Sequence, residues 1–520
     1  MKYLIFAYLI VTNILHKKFR MKRLIIILTL TITQLLPAQN TTPDMAVSSL
    51  VGDPTFSHAS AGVKIVRKGE TLAAHDAHKL YIPASNMKLI STGAALYHFG
   101  TDHRFSTTIS HDGHIEDGVL YGNLYIIGGA DPTLGSKDSI AVAIDKVFAQ
   151  WTKAIKDAGI TAIDGHVIGD GRYMEGMMEE PTWLWNDIGT YYGCGVSGLN
   201  FYENMISFNA DVDFSSKEPT VRLAQHYPAT PWMEITYDCV IGEKSTGDRL
   251  YMYTSDLAPV ASIRGTYGID RGAKRVDFSN KFPEYTCASY FSEYLEKKGI
   301  SCSKGPADFK LKTGWAAADS LRTITSTWSP TLDRIAFETN HISNNLYAET
   351  LFRTLGKDIE GSSCYESSRK AIRKLFIEMG LGGCIDGIRM QDGSGLSRQN
   401  YVSADFICAF LEAMMDSPCF DEFICGLPVP GGDGSLNYNM KGYPLSLRSR
   451  IRVKSGSMNG VRGYSGYILP TGFTLVRGQE IPQHVKDQII IFSVMTNNCT
   501  SPTWKVRPRL DKFMAEITAF

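Results

Sequence analysis

The sequence lacks the signatures of several large classes of enzyme and binding protein. Lys and Arg together number 53, as do Asp and Glu, so the basic excess expected of a general nucleic-acid-binding protein is missing. No glycine-rich stretch ends in the Gly-Lys-Ser/Thr of a phosphate-binding loop. Neither a His-Glu-x-x-His zinc motif nor the Gly-x-Ser-x-Gly of α/β-hydrolases occurs. Hydrophobic residues make up 44% of the chain and charged residues 20%, which is typical of a globular protein.

The cysteines also lack a recognisable pattern. None of the ten belongs to a Cys-x-x-Cys pair or to a Cys/His spacing typical of zinc sites. We therefore expect no metal and no cofactor, and we interpret His75 and His78 as solvent-facing side chains in a polar connection. The cysteines are expected to be buried thiols together with some disulfides, whose pairing the sequence leaves open.

Long apolar runs are confined to the first forty residues. Residues 3–15 form one run, and a second begins after a basic pair that follows Met21. This layout predicts a secretory signal region over residues 1–38, with Met21 as the expected true start. The alternative is an N-terminal membrane anchor. We expect an exported protein of the periplasm or cell envelope that is soluble or weakly associated with the membrane.

The pattern along the rest of the chain changes twice. Strand-like alternation at 61–84 precedes an apolar helix that ends at Gly100, and the chain closes with a predicted helix at 503–518. Just before that helix, strands are predicted for RIRVKSG, GYSGYIL, FTLVRG and QIIIFSVMT. Short strand-like runs dominate the middle of the chain. This order of an α/β start, a β-rich middle and an α/β end predicts one α/β catalytic domain interrupted by a long β-rich insertion.

The sequence SNMK, from Ser85 to Lys88, is the feature with the clearest chemistry. A serine that opens a helix lies one turn from a lysine three residues later. A buried, neutral lysine amine can take the serine proton as the hydroxyl attacks a carbonyl carbon. The same spacing occurs at Ser301 and Ser367, but those serines lie in a polar loop and in a charged helix. Only Ser85 follows a strand and opens an apolar helix.

Two further elements complete the site of such an enzyme, a Ser-x-Asn turn and a Lys-Thr/Ser-Gly edge strand. Ser343-Asn344-Asn345 precedes a helical run and is chosen over other Ser-x-Asn triplets, which occur at 207, 435 and 457. Lys454-Ser455-Gly456 lies on an alternating segment and follows Ser343 in the chain. Lys312-Thr313-Gly314 is interpreted as structural because it lies in a polar turn of the middle region.

PASNMKL, SNNLYAE and VKSGSM resemble the three active-site motifs of the penicillin-binding serine DD-peptidases. More narrowly, the chain resembles the penicillin-binding protein 4 type, the class C D-alanyl-D-alanine carboxypeptidase/endopeptidases of peptidase family S13. LYGNLYIIGGADPTL, WLWND, MQDGSGLSRQNYVS and LPVPGGDGSL extend the resemblance over residues 45–515. Two positions depart from the pattern. Asn344 stands where the family often has Asp, and Ser455 stands where Thr is commoner.

The resemblance implies a fold of three parts. A transpeptidase-like catalytic domain I, an antiparallel sheet flanked by helices, is split around a β-rich insertion, and domain III lies inside domain II. The expected boundaries are 39–105 and 331–520 for domain I, 106–140 and 207–330 for domain II, and 141–206 for domain III.

The resemblance also implies the roles of the motif residues. Ser85 attacks the penultimate carbonyl of a peptide ending in D-Ala-D-Ala, and Lys88 accepts its proton. Ser343 relays a proton to the leaving D-Ala beside the charge of Lys454, and Asn345 holds the substrate amide. The peptidoglycan stem peptide is thus the implied substrate, and β-lactams are the implied inhibitors.

Substrate contacts are implied for a second group of residues. The N–H groups of Ser85 and Ser457 form the oxyanion hole, and the lysine and serine of the Lys-Ser-Gly triplet face the terminal carboxylate. Asp187, Tyr192 and Met458 are expected to line a pocket for the amine-bearing end of the stem peptide. The alternative for WLWNDIGTYYG is aromatic packing and a turn. The implied substrate-binding residues are Ser455, Gly456, Ser457, Asp187, Tyr192 and Met458.

Two other functions stay open at this point. A β-lactamase would share the acyl-serine chemistry but needs a base for fast deacylation, for which the sequence offers no candidate glutamate. A catalytically silent peptidoglycan-binding protein would keep the fold alone. Intact motifs argue against it, because a paired Ser85 and Lys88 serve no binding purpose.

Overall fold

The computed structural model describes residues 42–311 and 320–520. The predicted signal region, 1–38, and the triplet Lys312-Thr313-Gly314 lie outside the described residues. Within the described ranges, no helix combines the length and apolar character needed to span a membrane.

The helices lie mostly at the two ends of the described chain. They are α1 Pro43–Val51, α2 Met87–Phe99, α3 Ile144–Asp157, α4 Pro283–Lys297, α5 Leu332–His341, α6 Asn345–Glu360, α7 Tyr365–Glu378, α8 Ala404–Met415, α9 Phe420–Cys425, α10 Leu445–Arg448, α11 Gln483–Lys486 and α12 Thr503–Ile517. Short 3-10 turns include Ala84–Asn86, Tyr191–Gly193 and Tyr202–Asn204.

The strands are most frequent in the middle of the chain. They are β1 Ser60–Arg67, β2 Glu70–His75, β3 Ser106–His111, β4 His114–Glu116, β5 Val119–Tyr121, β6 Leu124–Gly128, β7 Ala162–Ile163, β8 Val167–Asp170, β9 Met205–Asp213, β10 Thr220–Tyr227, β11 Glu234–Gly242, β12 Asp248–Ser255, β13 Ala258–Gly268, β14 Lys274–Ser279, β15 Ser301–Cys302, β16 Pro306–Asp308, β17 Arg322–Trp328, β18 Ile388–Arg389, β19 Tyr401–Val402, β20 Ile451–Met458, β21 Val461–Ile468 and β22 Ile490–Asn497.

One five-stranded antiparallel sheet joins the two ends of the chain. Its order is β2-β1-β22-β21-β20, so β1, near the start of the described chain, pairs with β22, near its end. The α/β catalytic domain interrupted by an insertion is therefore confirmed. β20 is an edge strand, as the alternation of RIRVKSG predicted.

The central strand β22 is buried on both faces. Successive side chains of a strand point to opposite faces. Ile491 and Met495 accordingly pack in the core that contains α2 and α8. Phe492 and Val494 pack on the other face, in the core that contains α1 and α12. Helix α2 lies deep in the first of these cores, since every residue from Met87 to Leu96 is buried.

The segment FTLVRG, at 473–478, is not a strand, and the prediction of one there is wrong. β21 pairs directly with β22, so no place in the sheet remains between them. Phe473 and Leu475 instead anchor a loop on the core around α2. The apolar residues alternate in this segment because Phe473 and Leu475 both pack on the core, and not because the segment forms one face of a sheet.

Two groups of sheets make up the insertion. The first group contains the five-stranded sheet β16-β8-β6-β3-β17 and the four-stranded sheet β15-β7-β5-β4. The second contains the three-stranded sheets β10-β9-β14 and β11-β13-β12. These last two sheets share a small core with Phe208, Met252 and Ile263 at its centre.

The strand pairing differs from the expected domain boundaries. β7 and β8 fall inside the expected domain III, 141–206, yet they pair with β5, β6, β15 and β16 of the expected domain II. Backbone hydrogen bonds tie these strands into common sheets, so they cannot belong to a separate unit. We therefore propose 106–204 and 280–330 as domain II and 205–279 as domain III.

All ten cysteines lie in the part of the chain that the structure describes, and all ten are unpaired. The expected disulfides are therefore not formed, and five of the ten cysteines are buried thiols while the other five are partly exposed. His75 and His78 are exposed, as predicted. No group of three or more His, Cys, Asp or Glu side chains among the described residues is placed to hold a metal ion.

Candidate active site

Ser85 and Lys88 lie at the start of helix α2. The turn Ala84–Asn86 leads into the helix, with Ala84 in the left-handed region at φ 47°. Ser85 is half-buried at the surface of this turn, whereas the side chain of Lys88 is fully buried. The two residues are one helical turn apart, and Lys88 Nζ lies 3.0 Å from Ser85 Oγ.

The other contacts of Lys88 orient its amine. Nζ donates hydrogen bonds to Asn345 Oδ1 at 2.6 Å and to the Ser394 carbonyl oxygen at 2.8 Å. Both partners accept hydrogen bonds only. A neutral amine has two N–H groups, so these two bonds use both of them and direct the nitrogen lone pair at Ser85.

Burial also favours the neutral amine. It lowers the pKa of Lys88 from 10.5 to about 7, against the opposing charges of Asp392 and Glu349. A base with a pKa near the working pH is well matched to proton transfer. Lys370, which follows Ser367 at the same spacing, is instead exposed and paired with Glu366. The lysine is therefore buried in the Ser85 motif and exposed in the Ser367 motif, although the spacing is the same.

Ser343 and Asn345 lie in the turn between α5 and α6. Ser343 has a φ of 66°, and Asn345 is the first residue of α6. The Nδ2 group of Asn345 donates to the Tyr192 carbonyl oxygen at 2.8 Å while its Oδ1 accepts from Lys88. Because an amide nitrogen carries two hydrogens, one hydrogen of Asn345 stays available for a substrate carbonyl oxygen.

Lys454 is a buried lysine on edge strand β20. Its side chain is fully buried, and Nζ donates to Ser343 Oγ at 2.9 Å and to the Ser455 carbonyl oxygen at 3.0 Å. Burial, and to a lesser degree the neighbouring amine of Lys88, hold the pKa of Lys454 well below its usual value. Among the described residues, no carboxylate lies within ion-pair distance of it. An anionic ligand would supply the missing counter-charge.

Gly456 allows β20 to lie against the turn that carries Ser85. It pairs with Gly463 of β21. A Cβ at position 456 would lie 2.1 Å from the Pro83 carbonyl oxygen and 2.9 Å from Asn86 Nδ2. The same strand carries half-buried Ser455 and exposed Ser457 beside this turn.

The predicted pocket residues are only partly brought together. The Tyr192 hydroxyl donates to Asp187 Oδ1 at 3.1 Å, and burial raises the pKa of both groups. Met458 is half-buried at the end of β20. Arg398 donates to the carbonyl oxygen of Asn459, next to Met458, at 3.4 Å, and its positive charge partly offsets the rise in the pKa of Asp187.

Sequence reasoning missed two buried carboxylates behind Lys88. Glu349 accepts from the backbone N–H groups of Gly393 and Ser394, at 3.1 and 2.7 Å. Asp392 accepts from the N–H of Gly395 at 2.7 Å. Together they shape the loop whose Ser394 carbonyl oxygen receives Lys88. Burial and the neighbouring Asp392 raise the pKa of Glu349 above its usual value. The dense Asp-Gly-Ser-Gly stretch was the available signal.

A cavity of about 490 Å³ adjoins this cluster. It reaches from Ser343 and Asn345 to Tyr192 and continues along β12 and β14 of the insertion. Of the three predicted motifs, the turn Ser343-Asn344-Asn345 lines this cavity, and Lys88 and Lys454 adjoin it through their hydrogen bonds to Asn345 and Ser343. Its volume is in the range of ligand-binding pockets.

A half-buried serine beside a buried lysine amine, with a Ser-x-Asn turn and a Lys-Ser-Gly edge strand, defines the penicillin-binding class of serine enzymes. The model of the D-Ala-D-Ala carboxypeptidase 3 (S13) family matches residues 44–517. The chain belongs to this family, as the three motifs predicted.

Named relatives agree with this assignment. A D-alanyl-D-alanine carboxypeptidase of Actinomadura sp. (strain R39) is 25% identical over 442 residues, 81% of this chain and 77% of that protein. The D-alanyl-D-alanine carboxypeptidase DacB of Haemophilus influenzae is 22% identical over 438 residues, 82% of this chain and 85% of that protein. The crystal structure of penicillin binding protein 4 (dacB) from H. influenzae has a TM-score of 0.73 at 20% identity and covers 91% of this chain and 98% of that chain. At this identity, the structural likeness establishes the fold.

Proposed function

We propose that the protein is a serine-type D-Ala-D-Ala carboxypeptidase, with DD-endopeptidase activity as the alternative use of the same centre. Its substrates are peptidoglycan stem peptides, and its intermediate is an ester on Ser85. The observation that carries the proposal is the buried Lys88 amine, 3.0 Å from Ser85 Oγ, with two acceptors directing its lone pair at the hydroxyl.

Acylation follows from this geometry. The Ser85 hydroxyl proton passes to Lys88 Nζ as Oγ bonds to the penultimate D-Ala carbonyl carbon. The carbonyl oxygen becomes an oxyanion, which the N–H groups of Ser85 and Ser457 stabilise. The C–N bond then breaks, and the proton that Lys88 accepted is relayed through Ser343, whose Oγ is 2.9 Å from Lys454 Nζ, to the leaving D-Ala nitrogen. Lys88 is then neutral again. It accepts a proton from the water that attacks the ester and returns it to Ser85 Oγ as the acid is released.

Substrate recognition uses the polar groups around Ser85 that can still accept another partner. Lys454 and the Ser455 hydroxyl meet the terminal carboxylate, since a buried cation gains most from an ionic partner. The remaining Nδ2 hydrogen of Asn345 meets the substrate carbonyl. Asp187, Tyr192 and Met458 form a second contact region, where the acidic side chain faces the amine-bearing end of the stem peptide.

Two consequences concern inhibitors and location. A β-lactam presents a strained amide beside a carboxylate, so it should acylate Ser85 and leave a long-lived ester. The substrate lies outside the cytoplasm, so we propose that the protein is exported and acts in the cell envelope. Weak membrane association is compatible with this location.

The acylation rate should rise with pH through about 7. Lys88 acts as a base only when deprotonated, and its pKa of about 7 places that change in the neutral range. Acylation by benzylpenicillin should therefore be about tenfold faster at pH 8 than at pH 6 and should level off above pH 8. Stopped-flow measurement across this range tests the prediction. A rate that falls as pH rises would contradict the role of Lys88.

Replacing Gly456 with alanine should slow acylation by about 10²-fold, because displacing β20 from the Ser85 turn misaligns the reacting groups. The matched control is Gly442→Ala, at an exposed position where an added Cβ meets nothing within 4 Å. Both rates are measured with a fluorescent penicillin. Equal rates for the two variants would show that β20 does not need this close approach.

The direct test of function is release of free D-Ala from a pentapeptide ending in D-Ala-D-Ala, alongside cleavage of a cross-linked stem dimer. We expect release by the wild type and none by Ser85→Ala. Rapid turnover of nitrocefin without D-Ala release would favour a β-lactamase. Absence of both reactions would favour a silent binding protein.

A further inference from the structure

Three consecutive residues beside the site adopt a backbone conformation that non-glycine residues avoid. Tyr202, Glu203 and Asn204 have φ values of 53°, 54° and 52°. Such residues persist only where their surroundings hold them, and they cluster at functional sites. Asn204 supplies the restraint here, since its Oδ1 accepts from the Phe201 N–H at 3.0 Å and its Nδ2 donates to the Gly195 carbonyl oxygen at 3.1 Å.

This left-handed turn aims the Glu203 side chain at the Ser-x-Asn turn. Glu203 is 8% exposed, and its Oε2 accepts from Asn344 Nδ2 at 2.9 Å. Its Oε1 accepts from the Ser136 hydroxyl at 2.9 Å, and the Tyr347 hydroxyl donates to the same serine at 3.2 Å. Both carboxylate oxygens are therefore used, and one of them binds the middle residue of Ser343-Asn344-Asn345.

Because the Asn344 side chain is held in place, the residues on either side of it, Ser343 and Asn345, are also held in place. Its Oδ1 caps helix α6 by accepting from the Tyr347 N–H at 3.1 Å, while its Nδ2 is held by Glu203. Rotation of the Asn344 side chain is therefore blocked at both ends. The neighbouring Ser343 and Asn345 contact Lys454 and Lys88, so their placement depends on this turn.

We propose that Glu203 is a positioning residue for the Ser343-Asn344-Asn345 turn, and that its carboxylate is the reason position 344 is asparagine here. The inference rests on the proposed acyl-serine function. An aspartate at 344 would still cap α6, but its half-buried carboxylate would lie 2.9 Å from the buried carboxylate of Glu203, where an amide donor now meets its acceptor. Like charges at this distance repel, and the turn would shift.

Exchanging the amide at position 344 and the carboxylate at position 203 tests the hydrogen bond between Asn344 and Glu203. The proteins are the wild type, Asn344→Asp, Glu203→Gln and the double variant, with Asn209→Asp, at an exposed position, as the matched control. In the double variant, the glutamine amide donates to the aspartate carboxylate and restores the hydrogen bond in the opposite direction. Stopped-flow acylation by benzylpenicillin separates the non-covalent dissociation constant from the acylation rate constant, and thermal midpoints are recorded for each protein.

We expect Asn344→Asp to lower the acylation rate constant by about tenfold or more with little change in the dissociation constant. Glu203→Gln should remain within about threefold of the wild type, because it keeps one acceptor oxygen, and the double variant should recover to a similar level. Asn209→Asp should match the wild type.

Three results would overturn the inference. The first is an acylation rate constant of Asn344→Asp that equals the wild-type value. The second is a double variant that acylates no faster than Asn344→Asp, and the third is an equal fall in the rate constant of Asn209→Asp. If Asn344→Asp does not fold, Glu203→Ala replaces it. That variant should fold and lose about tenfold in the acylation rate constant, and a wild-type rate would refute the role of Glu203. A wild type that benzylpenicillin does not acylate would instead refute the proposed function on which the inference rests.

Discussion

Lys88→Arg is expected to slow acylation of Ser85 by about 10³-fold, as is Lys88→Met. The guanidinium of arginine keeps its proton at any pH the protein tolerates, so it retains the positive charge but cannot serve as a base. Methionine fills similar space without either property. Arginine and methionine differ in charge, but neither can accept a proton. Equal slowing of acylation in both variants would therefore show that Lys88 acts by proton transfer. Acylation by a fluorescent penicillin measures the effect.

The control for these variants is Lys441→Arg, at an exposed position, which should leave the rate unchanged. Thermal midpoints show whether the buried site tolerates each change, since Lys88→Met leaves Asn345 Oδ1 and the Ser394 carbonyl oxygen without their donor. A folded Lys88→Arg protein that acylates within about tenfold of the wild type would refute the role of Lys88 as base.

Lys454→Met is expected to remove the preference for a free terminal carboxylate. The wild type should hydrolyse a peptide ending in D-Ala-D-Ala about 10²-fold faster, in kcat/KM, than the same peptide with an amidated C-terminus. In the variant this ratio should fall to within a few-fold of one, because the buried cation that meets the carboxylate is gone. The ratio separates recognition from any loss that affects both peptides, such as disturbance of Ser343.

Ser455→Ala is the matched variant on the same strand. It removes a neutral hydrogen-bond donor, so its carboxylate preference should fall by only about tenfold. An unchanged preference in Lys454→Met would show that another group binds the carboxylate and would reassign the role of β20.

The helix and the strand that hold the chemistry were predictable from local sequence. The apolar run after Ser85 predicted a buried helix, and α2 is buried from Met87 to Leu96. The alternation around Lys454 predicted an edge strand, and β20 is one. In both cases the periodicity of apolar residues reports directly on which face meets the core.

The insertion was harder to predict because its pairing is not local. β7 lies between β5 and β15, strands from opposite ends of domain II, and nothing in the two residues Ala162–Ile163 encodes those partners. Glu203 and Glu349 could not be predicted for the same reason, since their partners are distant in the sequence. An isolated glutamate acquires its role only when the fold brings it to a distant backbone N–H or amide.

The central claim is that Ser85 is the group that becomes acylated. Mass spectrometry of the protein treated with benzylpenicillin should show a single adduct, located by peptide mapping to the fragment containing Ser85, and Ser85→Ala should form none. An adduct on a different serine, or a wild-type protein that stays unmodified at saturating benzylpenicillin, would contradict the account.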